Sequence, residues 1–239
     1  MYGYGAYGFY GLDWTYFLVL IGAVLSMIAS AKVNSTFNKY SKVRSASGMT
    51  GAEAAQRILQ QNGIYDVAVE HVRGNLTDHY DPKNKVLRLS DATYGSNSVA
   101  AVGVAAHECG HALQHNVGYL PLRIRSAIVP AANIGSRLGI PIILLGVLLG
   151  SNYFLVQLGI WVFSLAVLFQ IVTLPVEFNA SNRAMDMMER YGILGGDELR
   201  STRKVLSAAA MTYVAAAASS IIQLLRLVIL FGGRRNNRD

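Results

Sequence analysis

The chain has 239 residues, 52% of them apolar and only 15% charged, with a formal net charge of +7. Soluble domains carry about 25% charged residues, so the deficit argues against an ordinary soluble domain and for lipid contact. The basic residues are scattered around apolar runs and form no aromatic–basic module, which sets nucleic acid aside and assigns the charge to a cytoplasmic membrane face; one cysteine, Cys109, excludes an internal disulfide.

The first 13 residues are rich in Gly and Tyr and hold no Lys or Arg. They lack the basic start of a cleaved signal, so the apolar run that follows is expected to be a retained anchor. Residues 14–31 carry no charge, and at 1.5 Å per residue they nearly cross a hydrocarbon core of about 30 Å. Trp14 and Tyr16 suit the interface, and Lys32 closes the span. Residues 51–62 read as an amphipathic helix, with Ala55, Ile58 and Leu59 on one face and Gly63 as its stop. The period then changes. Val67, Val69 and His71 alternate with polar neighbours, Val86, Leu87 and Leu89 form a second extended run, and Asp81-Pro82-Lys83-Asn84 is a turn, so a small sheet or hairpin is expected.

Ser96, Asn97 and Ser98 are good N-caps for a helix over about 98–116, with Gly118 after it. Residues 120–137 hold Arg123, Arg125 and Arg137 and are expected at the membrane surface, within a catalytic region over 32–137. Residues 138–174 read as a transmembrane hairpin turning at Gly150-Ser151-Asn152, its first arm reaching back towards Ile128. Residues 175–204 are expected to be a polar helix, and 205–231 a C-terminal membrane helix in which Arg226 snorkels. Lys32, Lys39, Lys42 and Arg44 put the N-terminus outside and the catalytic region in the cytoplasm; whether 205–231 crosses fully stays open.

Residues 107–111 read His-Glu-Cys-Gly-His. On a helix, positions i and i+4 share a face, so His107 and His111 can bind one Zn2+. Glu108 beside them suits a general base towards a water acidified by the metal. Three polar groups on an Ala/Val helix would be costly without partners, and a metal is a shared one. His115 is about 12 Å along the axis from His107 and reads as a helix-end histidine. Cys109 points to the opposite face and reads as a small buried residue. No third histidine follows at metzincin spacing, since Gln114 and Val117 occupy those positions. The best third ligand is Glu177. Ala180, Ser181 and Ala184 share its helical face, and these small residues allow close packing against Gly103, Ala106 and Gly110. After Pro175, Glu177 also suits a helix start. His79 reads as a turn histidine or as a group that helps bind substrate.

The stretches VAAHECGHALQH (104–115), LTDHYDPKNKVLRLS (76–90) and TLPVEFNASNRA (173–184), with the anchor and paired helices, resemble the bacterial membrane neutral zinc metallopeptidases called YugP-like. The resemblance covers nearly the whole chain. It implies His107 and His111 as zinc ligands, Glu108 as catalytic base and, by analogy with gluzincins, Glu177 as third ligand. Related membrane gluzincins commonly place Asp four residues after that glutamate, as a partner of the ligand set; here Ser181 stands there and bonds more weakly.

The sequence therefore predicts a mainly α-helical integral membrane protein with a small α+β zincin-like catalytic region. It would bind one zinc ion and hydrolyse peptide or protein substrates as an endopeptidase at the cell membrane. The competing readings are a non-catalytic zinc-binding scaffold and a site-2-type intramembrane protease, which would carry the motif deep in a membrane helix.

Overall fold

The computed structural model describes residues 14–232. Four of its helices are long and apolar enough to cross a membrane: α1 (Tyr16–Tyr40), α4 (Leu120–Leu148), α5 (Tyr153–Arg190) and α6 (Gly196–Phe231). Their large side chains face outward, as Phe17, Trp161, Phe154 and Leu148 do, each more than two-thirds exposed. Such a surface is stable against lipid and not against water. Between α1 and α4 lies a smaller unit of α2 (Gly51–Gln61), β1 (Ala68–Val72), β2 (His79–Asp81), β3 (Val86–Ser90) and α3 (Val99–Asn116). The protein is thus a mainly helical membrane protein with a small α+β region.

The helices run through the boundaries expected from composition. α4 continues from the arginine-bearing 120–137 segment into the apolar arm, with Pro130 and Pro141 inside it. α5 passes through Pro175 without a break, so Glu177 lies within a long helix and not at the start of a new one. Bundled membrane helices tolerate such prolines because neighbours compensate for the freed backbone groups. With 38 residues, α5 is roughly 57 Å long, nearly twice the hydrocarbon thickness. About 20 residues from its start suffice to cross, which brings the chain to the region of Val172. Glu177 therefore stands beyond the apolar span.

Two antiparallel pairs build the bundle. α4 and α5 form the expected hairpin and approach closely: a Cβ on Gly139 would lie 2.9 Å from Phe163 Cα, and one on Gly159 would lie 2.8 Å from Gly139 O. Small residues at such crossings let backbones pack in the absence of a hydrophobic drive between helices. α1 and α6 pair from end to end. Ser219 Oγ donates to Gly22 O at 2.8 Å, and Arg226 Nε donates to Thr15 Oγ1 at 3.2 Å with its guanidinium 4.6 Å from the Tyr16 ring. α6 thus runs alongside α1, and Arg226 sits at the end of the pair that carries Trp14 and Tyr16.

The α+β unit is fixed by local signals. Thr50 and Glu53 form a capping box at α2, with Thr50 N donating to Glu53 Oε2 at 2.8 Å and Glu53 N to Thr50 Oγ1 at 3.2 Å. Ser98 caps α3 by accepting from Ala101 N at 3.1 Å. The sheet order is β1-β3-β2, with β1 parallel and β2 antiparallel to β3. The two extended runs are therefore not a simple hairpin. The Asp81–Asn84 turn joins β3 to the short strand β2. Hydrogen bonds from the side chain and backbone of Asn84 draw the Asp81 carboxyl down to about 2. Ile58, Leu59, Leu87, Leu89, Val99 and Val102 form the core, and Met188 of α5 and Val205 of α6 complete it.

Candidate metal centre

α3 carries the His-Glu-Cys-Gly-His stretch between α2 on one side and α5 and α6 on the other. Glycine and alanine line its inner faces, so its neighbours approach at backbone distance. A Cβ on Gly110 would stand 2.5 Å from Ala180 O of α5. The small face expected opposite Ala180 is therefore present at Gly110, whereas Gly103 faces Thr202 of α6, whose Cγ2 would lie 2.4 Å from an added Cβ.

The close contact carries Glu177, one turn before Ala180, to the histidines. Glu177 Oε2 lies 3.3 Å from His107 Nε2 and 3.5 Å from His111 Nε2, and one ligand atom of each residue falls within 4.8 Å of the other two. The rest of each side chain is held by a partner that orients it. His107 Nδ1 is 3.1 Å from Ser181 Oγ. His111 Nδ1 lies 3.0 Å from Gln114 Oε1, an acceptor, so Nδ1 carries a proton, and Nε2 faces Glu177 Oε2. Gln114, fully buried, donates onward to Val176 O at 2.8 Å and Asn179 Oδ1 at 3.0 Å. Arg125 of α4 donates to Glu177 Oε1 at 2.9 Å. Burial alone would lower the pKa of His111. The hydrogen bond to Glu177 and the charges of Glu108 and Glu177 outweigh it, and the net shift is upward. A buried carboxylate and two converging imidazole nitrogens thus form a pocket that favours a cation, and the two-nitrogen, one-oxygen donor set fits zinc.

Glu108, buried beside this group, accepts a hydrogen bond from Tyr80 N at 3.0 Å. A cavity of about 220 Å³ opens here, lined among others by Asp78, Glu108, His107, Glu177, Ser181 and Tyr213. Its remaining wall comes from α1, through Val33 and Phe37, and from α6.

Ser181 stands where the sequence suggested, against a candidate ligand. His79 does not join the site: its Nδ1 is 2.9 Å from Thr77 O, its Nε2 faces Arg88, and it does not line the cavity. Asp78, its neighbour, does line it. His115 lies away from the three donors, with Nδ1 2.8 Å from Tyr80 OH, and pins β2 to the end of α3. Cys109 is buried against Ala55 O, and burial pushes its thiol pKa well up. Sequence reasoning missed Arg125, Gln114, Tyr80 and Tyr213. Tyr213 left a trace, as a lone phenol in an alanine-rich run.

Residues 15–232 match the family described as "Putative neutral zinc metallopeptidase". The chain is 52% identical over 199 residues to the "Putative membrane protease YugP" of Bacillus subtilis (strain 168), an alignment spanning 83% of this chain and 88% of that protein. No solved structure matches.

Proposed function

Because the chain belongs to this family of neutral zinc metallopeptidases, we propose that it is a membrane-bound endopeptidase in which His107, His111 and Glu177 hold one zinc ion and Glu108 is the general base. The observation that carries this reading is the convergence of three donors from two helices within 4.8 Å, beside a buried carboxylate that is not one of them.

Bound zinc supplies a Lewis acid that polarises a carbonyl and makes a water acidic. Glu108 would take up a proton from the attacking water and return it to the leaving amine. The Tyr80 amide holds the Glu108 carboxylate in place for both transfers. Tyr213, in the cavity wall, donates its hydroxyl to the oxygen on which negative charge develops. Gln114 and Ser181 fix the imidazoles, and Arg125 occupies the second oxygen of Glu177 so that only Oε2 faces the histidines. β2 is an edge strand, and its Tyr80 N–H already points at Glu108. A peptide added along that edge runs past the base. The lysines and arginine that follow the first span favour a cytoplasmic position for this region. A site-2-type geometry is disfavoured because α3 is not among the helices long and apolar enough to cross.

The test is zinc stoichiometry and peptide cleavage by the purified full-length protein. Glu108→Gln is expected to keep zinc and lose cleavage, and Glu177→Gln to lose zinc. Loss of zinc from Glu108→Gln, or stoichiometric zinc in a wild type that cleaves no peptide pool, would overturn the assignment.

A further inference from the structure

A second cavity, of about 770 Å³, opens on the other side of α1 and α6. Lys32 and Lys39 face it from α1, one helical heptad apart, and Arg200, Arg203 and Lys204 face it from α6. Among the described residues, no Asp or Glu lines it. Arg200 has an ion-pair partner in Asp197 on its own helix. Among the described residues, Lys32, Lys39, Arg203 and Lys204 have no carboxylate within ion-pair distance. Two packed helices thus turn like charges towards one groove, an arrangement that repels itself until an anion enters.

The groove's level in the bundle says which anion. Lys32 is the first charge after the apolar run of α1, and Lys204 the last before the charge-free stretch 205–225 of α6. The helices are antiparallel, so both apolar runs end at this groove. Its floor is apolar on the bundle side, with Ala208 and a half-exposed Met211 leading onto the lipid-facing surface of α6. A soluble phosphate would use the cations and leave that apolar end wet. A phospholipid uses both.

We propose that this groove is a binding site for an anionic glycerophospholipid, with the phosphate among Lys39, Arg203 and Lys204 and an acyl chain along Met211. Basic pockets between membrane helices on the cytoplasmic side suit such headgroups. The same segments, through Val33, Phe37, Val205 and Leu206, wall the cavity beside Glu108. A seated lipid therefore ties together the two helices that close the metal centre on that side.

The test is native mass spectrometry of the detergent-solubilised full-length protein titrated with phosphatidylglycerol, phosphatidylcholine or inorganic phosphate. Each basic group near anionic lipid contributes about fivefold. Wild type should therefore prefer phosphatidylglycerol to phosphatidylcholine by on the order of 100-fold. Lys39→Gln/Arg203→Gln/Lys204→Gln should lose that preference by on the order of 100-fold while melting like wild type in phosphatidylcholine. A Lys42→Gln/Arg123→Gln/Arg137→Gln variant, which sheds the same charge elsewhere, should retain it. Should the three groove cations prove needed for folding, the single Lys39→Gln variant, with an expected loss of about fivefold, carries the same test. Equal retention of both lipids, an equal loss in the control variant, or full displacement of phosphatidylglycerol by inorganic phosphate would each overturn the proposal. The readout needs neither zinc nor a peptide, so it stands or falls apart from the peptidase reading.

Discussion

Gly110→Ala is a one-carbon change whose sign separates two accounts of α3. In a helix with room around it, alanine is favoured over glycine by about 0.8–1 kcal/mol, and the variant would be more stable. Here the new methyl meets Ala180 O at 2.5 Å and the Ala180 carbonyl carbon and Cα at 3.1 Å. All three are backbone atoms, so no rotamer change relieves the contact. Ordinary van der Waals distance begins at 3.4 Å, and reaching it requires α5 to retreat locally by about 0.9 Å. Overpacking of this kind costs about 1–3 kcal/mol, more than the propensity gain, so a net loss of about 1 kcal/mol is expected. Glu177 sits one turn from Ala180 and moves with it, and metal ligands tolerate only about 0.2 Å. Zinc affinity, measured by chelator competition, should fall about 10–100-fold, alongside a lowered melting temperature. Gly103→Ala is the contrast. Its methyl would meet Thr202 Cγ2 of α6 at 2.4 Å, and α6 supplies none of the three donors, so stability should fall while zinc affinity holds. A Gly110→Ala protein that melts higher and binds zinc as tightly as wild type would refute the close-approach reasoning.

Other perturbations probe the surroundings of the three donors. Arg125→Met leaves one oxygen of a buried carboxylate without its cation, and zinc affinity by the same competition should fall by at least tenfold. Gln114→Leu removes the acceptor of His111 Nδ1 and the donor to Val176 O; zinc affinity should drop about 10–100-fold, with a loss of about 1–3 kcal/mol in thermal unfolding from the orphaned groups. Tyr213→Phe should lower kcat about 100–1,000-fold with zinc content unchanged, read by peptide cleavage and metal analysis on one sample. Cys109, buried and with its thiol pKa raised, should resist maleimide in the folded protein and react only after denaturation, as followed by mass.

What could be read from sequence divides along the range of the interactions involved. His107, Glu108 and His111 were legible because an i, i+4 spacing is a local fact of helix geometry. Glu177 was legible one step further out, through the small residues at 180, 181 and 184 that mark a packing face. The other half of that face could be read only in part, since which neighbour a helix meets changes along its length: Gly110 meets α5 and Gly103 meets α6. Arg125 looked like a surface arginine because nothing in residues 120–137 shows that α4 lies against Glu177. β2 escaped because three residues, all of them polar and titratable, carry no period. The region boundaries near 137 and 174 fall inside α4 and α5 for a related reason. Composition changes there, but helix length in a bundle is set by neighbours and by the cost of breaking backbone hydrogen bonds near lipid.

The placement of the donors also explains why the small α+β region and the membrane helices form one unit. Residues 51–116 alone make a unit of about 65 residues, a size at which a single core is marginal. Its core is completed from outside, by Met188 of α5, by Ile193 in the turn after it and by Val205 and Leu206 of α6. The same outside helices complete the site: α5 brings Glu177, α4 brings Arg125, and α1 and α6 close the cavity wall. Each of the four long helices thus contributes an atom or a surface to the candidate metal centre. A length of α5 well beyond what a bilayer requires follows from this, since only the part that projects past the apolar span can hold a charged carboxylate against two histidines without placing it in lipid.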